Sequence, residues 1–269
     1  MAKSRSRTPA RKAQPTGALR VGTSGWSYEG WWGPFFPDGL RKADALAYYA
    51  SRFDCVELNA PHYRTPTPEA VTGWAERTPG QFRFAWKASR FITHWKRLLN
   101  SENSLELMED RMRLLGKKLG PVLFQLHPAM QANGDRLAEF ITLLNPKRQY
   151  TFEFRHPSWY TPPVLELLCD HDMALCLSDH ADAPAPREVT ASWVYVRNHG
   201  PSGRYHGSYS DAALKDWAKS IRAWRKQGRD VWCFFDNDVK SAAPADADRL
   251  LAALKDTPRT RREWDSGQD

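Results

Sequence analysis

Charged and amide side chains recur two residues apart in short apolar segments of this sequence. Glu57 and Asn59 form one such pair, and Glu153 and Arg155 form another. Residues i and i+2 of a β-strand face the same side, so both members of a pair project into one space. A buried carboxylate in such a space can act as a general base or acid, because burial and nearby cations set its pKa. The spacing therefore predicts acid–base chemistry in a pocket.

The side chains with suitable chemistry lie near the ends of predicted strands, and we assign them to two groups. The catalytic group is Glu57, Lys87, Glu153 and Asp236. The substrate-binding group is Trp26, Asn59, Tyr63, His94, Gln125, Arg155, His156, Asp179, Arg197, His199, Tyr209 and Asn237. Lysine and arginine bind phosphate or carboxylate groups, whereas amides and indole rings suit sugars. We therefore predict an enzyme that acts on a small anionic or polyhydroxylated substrate; its reaction stays open, with hydrolysis, isomerisation and lyase chemistry among the options.

A metal-dependent hydrolase or isomerase, including a barrel that cleaves phosphodiesters in nucleic acid, is the first alternative. Its ligands for Mg²⁺, Mn²⁺ or Zn²⁺ would be Glu153, Asp179, His199 and Asp236. Against it, the sequence has no H-x-H or H-E-x-x-H spacing, and the neighbouring lysine and arginines would repel a cation. We predict no cofactor and keep a divalent metal as the alternative.

The elements that must position these residues alternate along the chain between short β-rich runs and amphipathic helical segments. The predicted strands are 19–26, 55–60, 83–88, 121–127, 149–155, 174–179, 193–199 and 230–238. The predicted helices are 43–53, 67–77, 104–118, 134–145, 162–171, 210–227 and 244–254. Only the connection 180–192 has no helical pattern, and we interpret it as a long loop. Eight strands with helical crossovers predict a single α/β domain, a (β/α)8 TIM barrel over residues 19–256, with its site at the carboxyl ends of the strands.

The basic and aromatic segment RFAWKASRFITHWKRL, residues 83–98, has two interpretations. It could bind a polyanion, or it could form one wall of the pocket. Since RFAWKA has a strand pattern, Lys87 belongs at the carboxyl end of that strand and Arg83 at its start. The rest is then a loop and a short helix that would bring His94 to the mouth, which favours the pocket wall.

Much of the net charge of +8 lies outside the predicted barrel. Residues 1–18 contain five Lys and Arg and no acidic residue, and they lack an apolar periodicity, so we predict a disordered basic tail. We expect residues 257–269 to be a charged C-terminal tail. The basic tail supports the second alternative, a non-catalytic nucleic-acid-binding protein, through weak, salt-sensitive contacts.

The setting that we expect is cytoplasmic and away from the membrane. The sequence has no apolar run of about 18 residues, the length that a membrane span requires. It also has no targeting pattern. Its four cysteines are far apart, without a C-x-x-C pair, which fits a reducing compartment.

Several stretches recur in order and resemble the signature blocks of the DUF72 (YecE-like) family. They are VGTSGWSYEGWWGPFFP, VELNAPHYRTP, FRFAWKASRFITHWKRL, LGPVLFQLHP, FEFRHPSWY, YVRNHGP, YHGSYSD and CFFDND. The resemblance covers about residues 20–254 and implies a TIM barrel, but no activity, because the family is uncharacterised. Two positions depart from the family pattern: His62 precedes Tyr63, and His127 stands in QLHP. Each departure adds an imidazole near the predicted mouth.

Overall fold

A computed structural model describes residues 15–255, and these form eight strands alternating with helices. The strands are β1 Leu19–Thr23, β2 Cys55–Leu58, β3 Arg83–Lys87, β4 Leu119–Gln125, β5 Tyr150–Glu153, β6 Ala174–Ser178, β7 Trp193–Asn198 and β8 Asp230–Phe235. The α-helices are α1 Ala45–Arg52, α2 Ala60–Tyr63, α3 Pro68–Glu76, α4 Glu102–Arg113, α5 Gly134–Thr142, α6 Pro162–Asp170, α7 Asp211–Lys226 and α8 Ala242–Lys255. All eight predicted strands and seven predicted helices are confirmed within a few residues at each end.

The strands form one parallel sheet in the order β1-β8-β7-β6-β5-β4-β3-β2. A parallel bridge between Ser24 and Glu57, with a hydrogen bond from the Gly25 amide to the Glu57 carbonyl at 2.8 Å, brings the first and last strands together. Gly22 permits this approach, because a Cβ at that position would lie 2.3 Å from the Cys55 carbonyl oxygen. The sheet is therefore a nearly closed (β/α)8 barrel, as predicted.

A lower apolar layer, two residues deep on β6, β7 and β8, and an upper polar layer fill the barrel, because inward side chains recur at every second residue of a strand. The lower layer is a buried cluster with large rings, including Trp193, Tyr195, Trp232 and Phe234. On six of the eight strands the next inward side chain, two residues further along, is polar. The pairs are Cys55 and Glu57, Ala85 and Lys87, Leu123 and Gln125, Cys176 and Ser178, Tyr195 and Arg197, and Phe234 and Asp236. The charged layer thus lies on a closed hydrophobic floor at the carboxyl ends of the strands.

The helices cover the outside of the barrel with their apolar faces, as in α7, where Leu214, Trp217 and Ile221 are buried. Residues 180–192 contain no helix, as predicted. No helix within residues 15–255 is long and apolar enough to cross a membrane.

The fold begins just before β1. The Gly17 amide donates to the Arg225 carbonyl at 3.0 Å, and the Ala18 amide donates to Asp230 at 2.6 Å. Residues 17 and 18 of the predicted tail are therefore attached to the barrel. The rest of the predicted basic tail, apart from residues 15 and 16, and the predicted C-terminal tail lie outside the described residues.

Candidate functional site

Arg197, near the end of β7, is the centre of a fully buried charge cluster. Its guanidinium donates three hydrogen bonds to Glu57 on β2, at 2.8, 3.1 and 3.2 Å. It also donates to Glu153 on β5 and to Asp236 after β8, each at 2.7 Å. The hydroxyl of Tyr195 donates to Glu57 at 2.6 Å. One arginine thus joins three carboxylates from different sides of the barrel, and the predicted convergence of these residues is confirmed.

Glu153 connects this cluster to a second arginine. Arg155 donates to Glu153 at 2.5 Å and to the hydroxyl of Tyr205 at 2.9 Å, while Gln125 donates to the other Glu153 oxygen at 3.0 Å. Both arginines also approach the Nε2 atom of His199, at 3.1 and 3.2 Å. Because a guanidinium only donates, this nitrogen is an acceptor, and the ring proton belongs on Nδ1.

The opposite charges of the arginines and the carboxylates stabilise one another in the cluster. Burial alone would raise the pKa of Glu153, but Arg155 and Arg197 hold it well below its ordinary value. Buried ions are tolerated only when they are paired and hydrogen-bonded, and leaving one partner unpaired costs about 3–5 kcal/mol. The fully paired cluster is therefore rigid and keeps Glu153 ionised.

A polar pocket of about 680 Å³ opens at the carboxyl ends of the strands. Its lining residues are Gly25, Trp26, Ser27, Tyr28, Asn59, Ala60, Tyr63, Lys87, Gln125, Tyr205, Asp236, Asp238 and Val239. The predicted site residues among them are Trp26, Asn59, Tyr63, Lys87, Gln125 and Asp236. A smaller apolar groove of about 360 Å³, lined by Pro61, Phe91, Leu107 and Met108 among others, has no carboxylate in its lining. The polar pocket is therefore the candidate active site.

Lys87 lies at the end of β3 and is only 5% exposed. Its ammonium makes no hydrogen bond and no ion pair within 4.0 Å to any residue that the structure describes. Burial, and after it the charge of the nearby Arg197, lowers the pKa of Lys87 to about 8, although Asp236, Glu57 and Glu153 oppose the shift. Lys87 is therefore a largely desolvated amine that faces the pocket and titrates near neutral pH.

Asp238 faces the same pocket from the segment after β8. Burial raises its pKa to about 8, and the charge of Asp236 contributes to this shift. Its Oδ1 atom is buried and has no hydrogen-bond partner among residues 15–255, and the same holds for Oδ1 of Asn59. Tyr28 lies beside both, receiving a hydrogen bond from the Asn59 amide at 3.4 Å and donating to the Ser24 carbonyl. Two residues that line the pocket thus each carry a buried oxygen without a protein partner, and burial favours the protonated form of Asp238.

Five residues predicted to bind substrate instead belong to the cluster or its supports, and none of the five lines the pocket. Arg155 and Arg197, predicted to bind an anion, donate to carboxylates inside the cluster. His199 lies between them, and its amide donates to Asp179 at 2.6 Å. Asp179 also receives a hydrogen bond from the hydroxyl of Tyr209. In the structure these side chains hydrogen-bond to one another and to the carboxylates of the cluster, and they lie outside the pocket lining.

Two other predicted substrate-binding residues have local structural partners. His156 caps the 3₁₀ turn Pro157–Trp159, accepting a hydrogen bond from the Ser158 amide at 3.2 Å. The amide of Asn237 donates to Gly207 at 2.8 Å and to Asp246 at 2.9 Å. Neither lines the polar pocket, and the sequence could not distinguish them because both stand next to strand ends.

The segment 83–98 has the predicted arrangement of a strand, a loop and a short helix. The helix is a π-helix, Phe91–Trp95, and Lys87 rather than His94 lines the pocket. His94 packs edge-to-face between His62 and His127, with ring centroids 5.2 Å apart on each side. His62 and His127, the two departures from the family pattern, therefore both contact the imidazole of His94. Burial lowers the pKa of His62 to about 3 and that of His94 to about 4, so both are neutral at pH 7.

The proposed metal ligands do not fit a metal ion. Oxygens of Glu153 and Asp236 are engaged by Arg197, and His199 Nε2 accepts from both arginines. Within residues 15–255, no three His, Cys, Asp or Glu side chains are grouped to hold a metal. These residues therefore do not support metal-dependent chemistry at this site.

Three residues that line the pocket, Tyr28, Tyr205 and Asp238, are not among the predicted site residues. Tyr28 and Tyr205 lie on loops outside the predicted strands, so strand periodicity gives no information about them. Tyr205 has a left-handed backbone, with φ of 68°, and its amide donates to the His199 carbonyl at 2.6 Å. Such strain is found where the surrounding structure fixes a functional loop. The sequence did indicate Asp238, because it lies two residues after Asp236 and a strand would direct both side chains to the same face.

Together, the closed barrel and its charged mouth define a TIM-barrel protein with one polar pocket at the usual position for this fold. The chain belongs to DUF72, a family of proteins of unknown function, whose model matches residues 20–268.

The chain is similar to proteins known from their sequences and to a solved structure. The chain is 25% identical to the UPF0759 protein YunF of Bacillus subtilis over 272 aligned residues, 88% of this chain and 94% of YunF. It is 31% identical to the UPF0759 protein YecE of Escherichia coli K12 over 145 residues, 53% of this chain and 50% of YecE. The crystal structure of a DUF72 family protein from Thermotoga maritima matches with a TM-score of 0.80 and 25% identity, over 88% of this chain and 99% of that one.

Proposed function

We propose that the protein is an enzyme that carries out proton transfer on a small polyhydroxylated substrate in the polar pocket. The observation that carries this proposal is the set of unpaired polar groups on the pocket wall. Oδ1 of Asn59 and Oδ1 of Asp238 are buried without a hydrogen-bond partner among residues 15–255, and the ammonium of Lys87 makes no hydrogen bond or ion pair with those residues. Buried polar groups are normally paired, so groups left unpaired in a pocket favour a ligand that pairs them. Substrate hydroxyls can both donate to the oxygens and accept from the amine.

The charges of the pocket favour a neutral polyol over a phosphate. Among the lining residues, Lys87 is the one Lys or Arg, and two carboxyl groups, those of Asp236 and Asp238, belong to the same lining. Recognition of phosphate commonly uses a free arginine fork, and both arginines of the cluster are engaged by carboxylates. The rings of Trp26 and Tyr63 supply flat apolar surfaces suited to the face of a sugar.

The proton-transfer roles follow from the environments of the pocket groups. Asp238, whose pKa burial raises to about 8, would be the general acid at pH 7. Lys87, with a pKa of about 8, would be the general base in its neutral form. Catalytic acids and bases work best when their pKa lies near the working pH. In this proposal, Glu57 and Glu153 are positioning residues, because they are saturated with hydrogen bonds beneath the pocket.

Binding of neutral alditols and aldoses tests the proposal. We expect saturable quenching of tryptophan fluorescence by one or more members of a panel of three- to six-carbon polyols. Tyr63→Ala should weaken this binding by about 2- to 10-fold, because a stacked ring contributes about 0.5–1.5 kcal/mol. Trp95→Ala is the matched control, since Trp95 is 68% exposed and outside the pocket lining.

Turnover is tested by incubating the protein with the polyols that bind, in deuterated water, and following carbon-bound deuterium by NMR. We expect the wild-type protein to incorporate deuterium into the substrate and Asp238→Asn to abolish this incorporation. Absence of binding across the panel, or equal weakening by the Tyr63 and Trp95 variants, would contradict the proposal.

An aromatic and cationic surface at the rim supports nucleic-acid binding as a second candidate function. The guanidinium of Arg90 lies 5.6 Å from the ring centroid of Tyr63 and 5.7 Å from that of Trp95, and both rings are exposed. Exposed rings beside a cation suit stacking with single-stranded bases. The test is binding of a fluorescent oligothymidine by Trp95→Ala and by a protein lacking residues 1–14. Loss of affinity only on removal of the tail would show that the barrel is not a nucleic-acid module.

We also propose a cytoplasmic location. The support is that Cys55, Cys169, Cys176 and Cys233 are free thiols, as a reducing compartment would keep them. Fractionation of the cells that produce the protein would test it.

A further inference from the structure

We propose that Lys87 is a nucleophile that forms a Schiff base with the carbonyl carbon of an aldose or ketose in the polar pocket. This inference rests on the proposed function, because it names the reacting group of the same polyhydroxylated substrate. It replaces a simple base with a covalent intermediate, and it limits the substrate to polyols that carry an aldehyde or ketone.

The unpaired state of Lys87 separates it from a structural lysine. Lys118 shows what a structural lysine does here: its ammonium donates to the carbonyls of Ala75 and Thr78 and to the Thr78 hydroxyl, at 2.5–3.1 Å. Lys87 is more deeply buried, yet its ammonium has no such acceptor within residues 15–255. Because it lines the pocket, a ligand atom can reach the nitrogen without displacing a protein contact.

The surroundings of Lys87 also favour the neutral amine that nucleophilic attack requires. Desolvation and a neighbouring cation are the two ways in which proteins activate a lysine, and Lys87 has both. With a pKa of about 8, roughly one Lys87 in ten is a free amine at pH 7. At the ordinary pKa of about 10.4, roughly one in 2,500 would be free. Burial thus raises the reactive fraction by about two orders of magnitude.

Asp238 can supply the protons that the step needs. The nitrogen lone pair attacks the carbonyl carbon, and the carbonyl oxygen takes a proton from the protonated Asp238 carboxyl group. The ammonium centre so formed returns a proton to Asp238, giving a neutral carbinolamine. The nitrogen lone pair then expels the hydroxyl group, which leaves as water with the Asp238 proton. One amine, one carbonyl and one proton give one iminium ion and one water, and Asp236 and Asp238 line the pocket in which the iminium charge forms.

Borohydride trapping tests the assignment with glyceraldehyde and dihydroxyacetone as probes. Reduction of the iminium gives a secondary amine, so the labelled peptide gains the mass of the probe less one oxygen atom. We expect at least tenfold more label on Lys87 than on the exposed Lys42 of the same sample at pH 7. Labelling of Lys87 should also be greatest near pH 8, where the free amine and the protonated Asp238 coexist, whereas labelling of Lys42 should keep rising with pH.

Lys87→Met tests the specificity, since it keeps the length of the side chain and removes the amine. It should lose the pocket label and retain that on Lys42. The comparison between two lysines of one wild-type sample does not depend on the variant folding. Equal labelling of Lys87 and Lys42, or a Lys87 label that rises steadily with pH, would overturn the inference. If neutral alditols bind and Lys87 is not trapped, the proposed function stands and the Schiff base falls; if nothing binds, both fall.

Discussion

Replacing Arg197 by methionine tests whether the charge cluster is the structural base of the site. The change removes the cation from Glu57, Glu153 and Asp236, all of which it contacts at 2.7–3.2 Å. Leaving buried partners uncompensated costs about 3–5 kcal/mol. At about 2–4 °C per kcal/mol for a domain of this size, the melting temperature should fall by roughly 6–20 °C.

The pH dependence of this loss follows from the carboxylates. Without Arg197 the buried carboxylates lose their shared cation, and protonation removes the uncompensated negative charge of the variant as the pH falls. The difference in unfolding free energy from wild type should therefore be largest at pH 7 and smaller at pH 5. Urea unfolding followed by tryptophan fluorescence measures it at both values. Arg41→Met is the control, because the Arg41–Asp44 pair is on the surface, and it should leave the midpoint unchanged. An Arg197→Met variant as stable as wild type at pH 7 would refute this account of the cluster.

Three further predictions concern individual titrating groups. Glu153→Gln should destabilise the fold at pH 7. The deficit should begin to shrink at about pH 4.3, the ordinary pKa of a glutamate, and should vanish only below the depressed folded-state pKa of Glu153. A deficit independent of pH in acid-unfolding curves would contradict this. Between pH 4 and pH 8 the unfolding free energy of the wild type should fall relative to that of Asp238→Asn, because the raised pKa of Asp238 favours the folded state only while its carboxyl group is protonated. The same pH dependence of unfolding in both proteins would exclude that pKa. The imidazoles of His62 and His94 should stay neutral at pH 5 in NMR titrations, and midpoints near 6.5 would show that they are solvated.

Strand periodicity predicted the part of the site that the barrel itself builds. Glu57 and Glu153 were predicted to project into one space because each is followed two residues later by another polar side chain, Asn59 and Arg155, and the structure buries both carboxylates. The alternation of strands and helices likewise predicted the closed barrel. Both signals are local, so a single sequence carries them.

The sequence could not predict which charged residues face a ligand and which pair with one another. Whether an inward arginine binds a ligand or a carboxylate depends on distances across the barrel, as between Arg197 and Glu57, 140 residues apart in sequence. The same applies to Lys87, whose lack of partners is a property of the assembled pocket. Tyr205 reaches Arg155 from a loop that no periodicity describes.

The central claim is that the polar pocket binds a small polyhydroxylated molecule through Lys87, Asn59 and Asp238. The most direct measurement is a crystal structure of the protein soaked with the neutral polyols used in the binding assay. The account predicts one polyol in the pocket, with its hydroxyls within hydrogen-bond distance of Oδ1 of Asn59 and of Asp238. Polyol density confined to the apolar groove at Phe91 and Leu107, with the polar pocket empty, would contradict it.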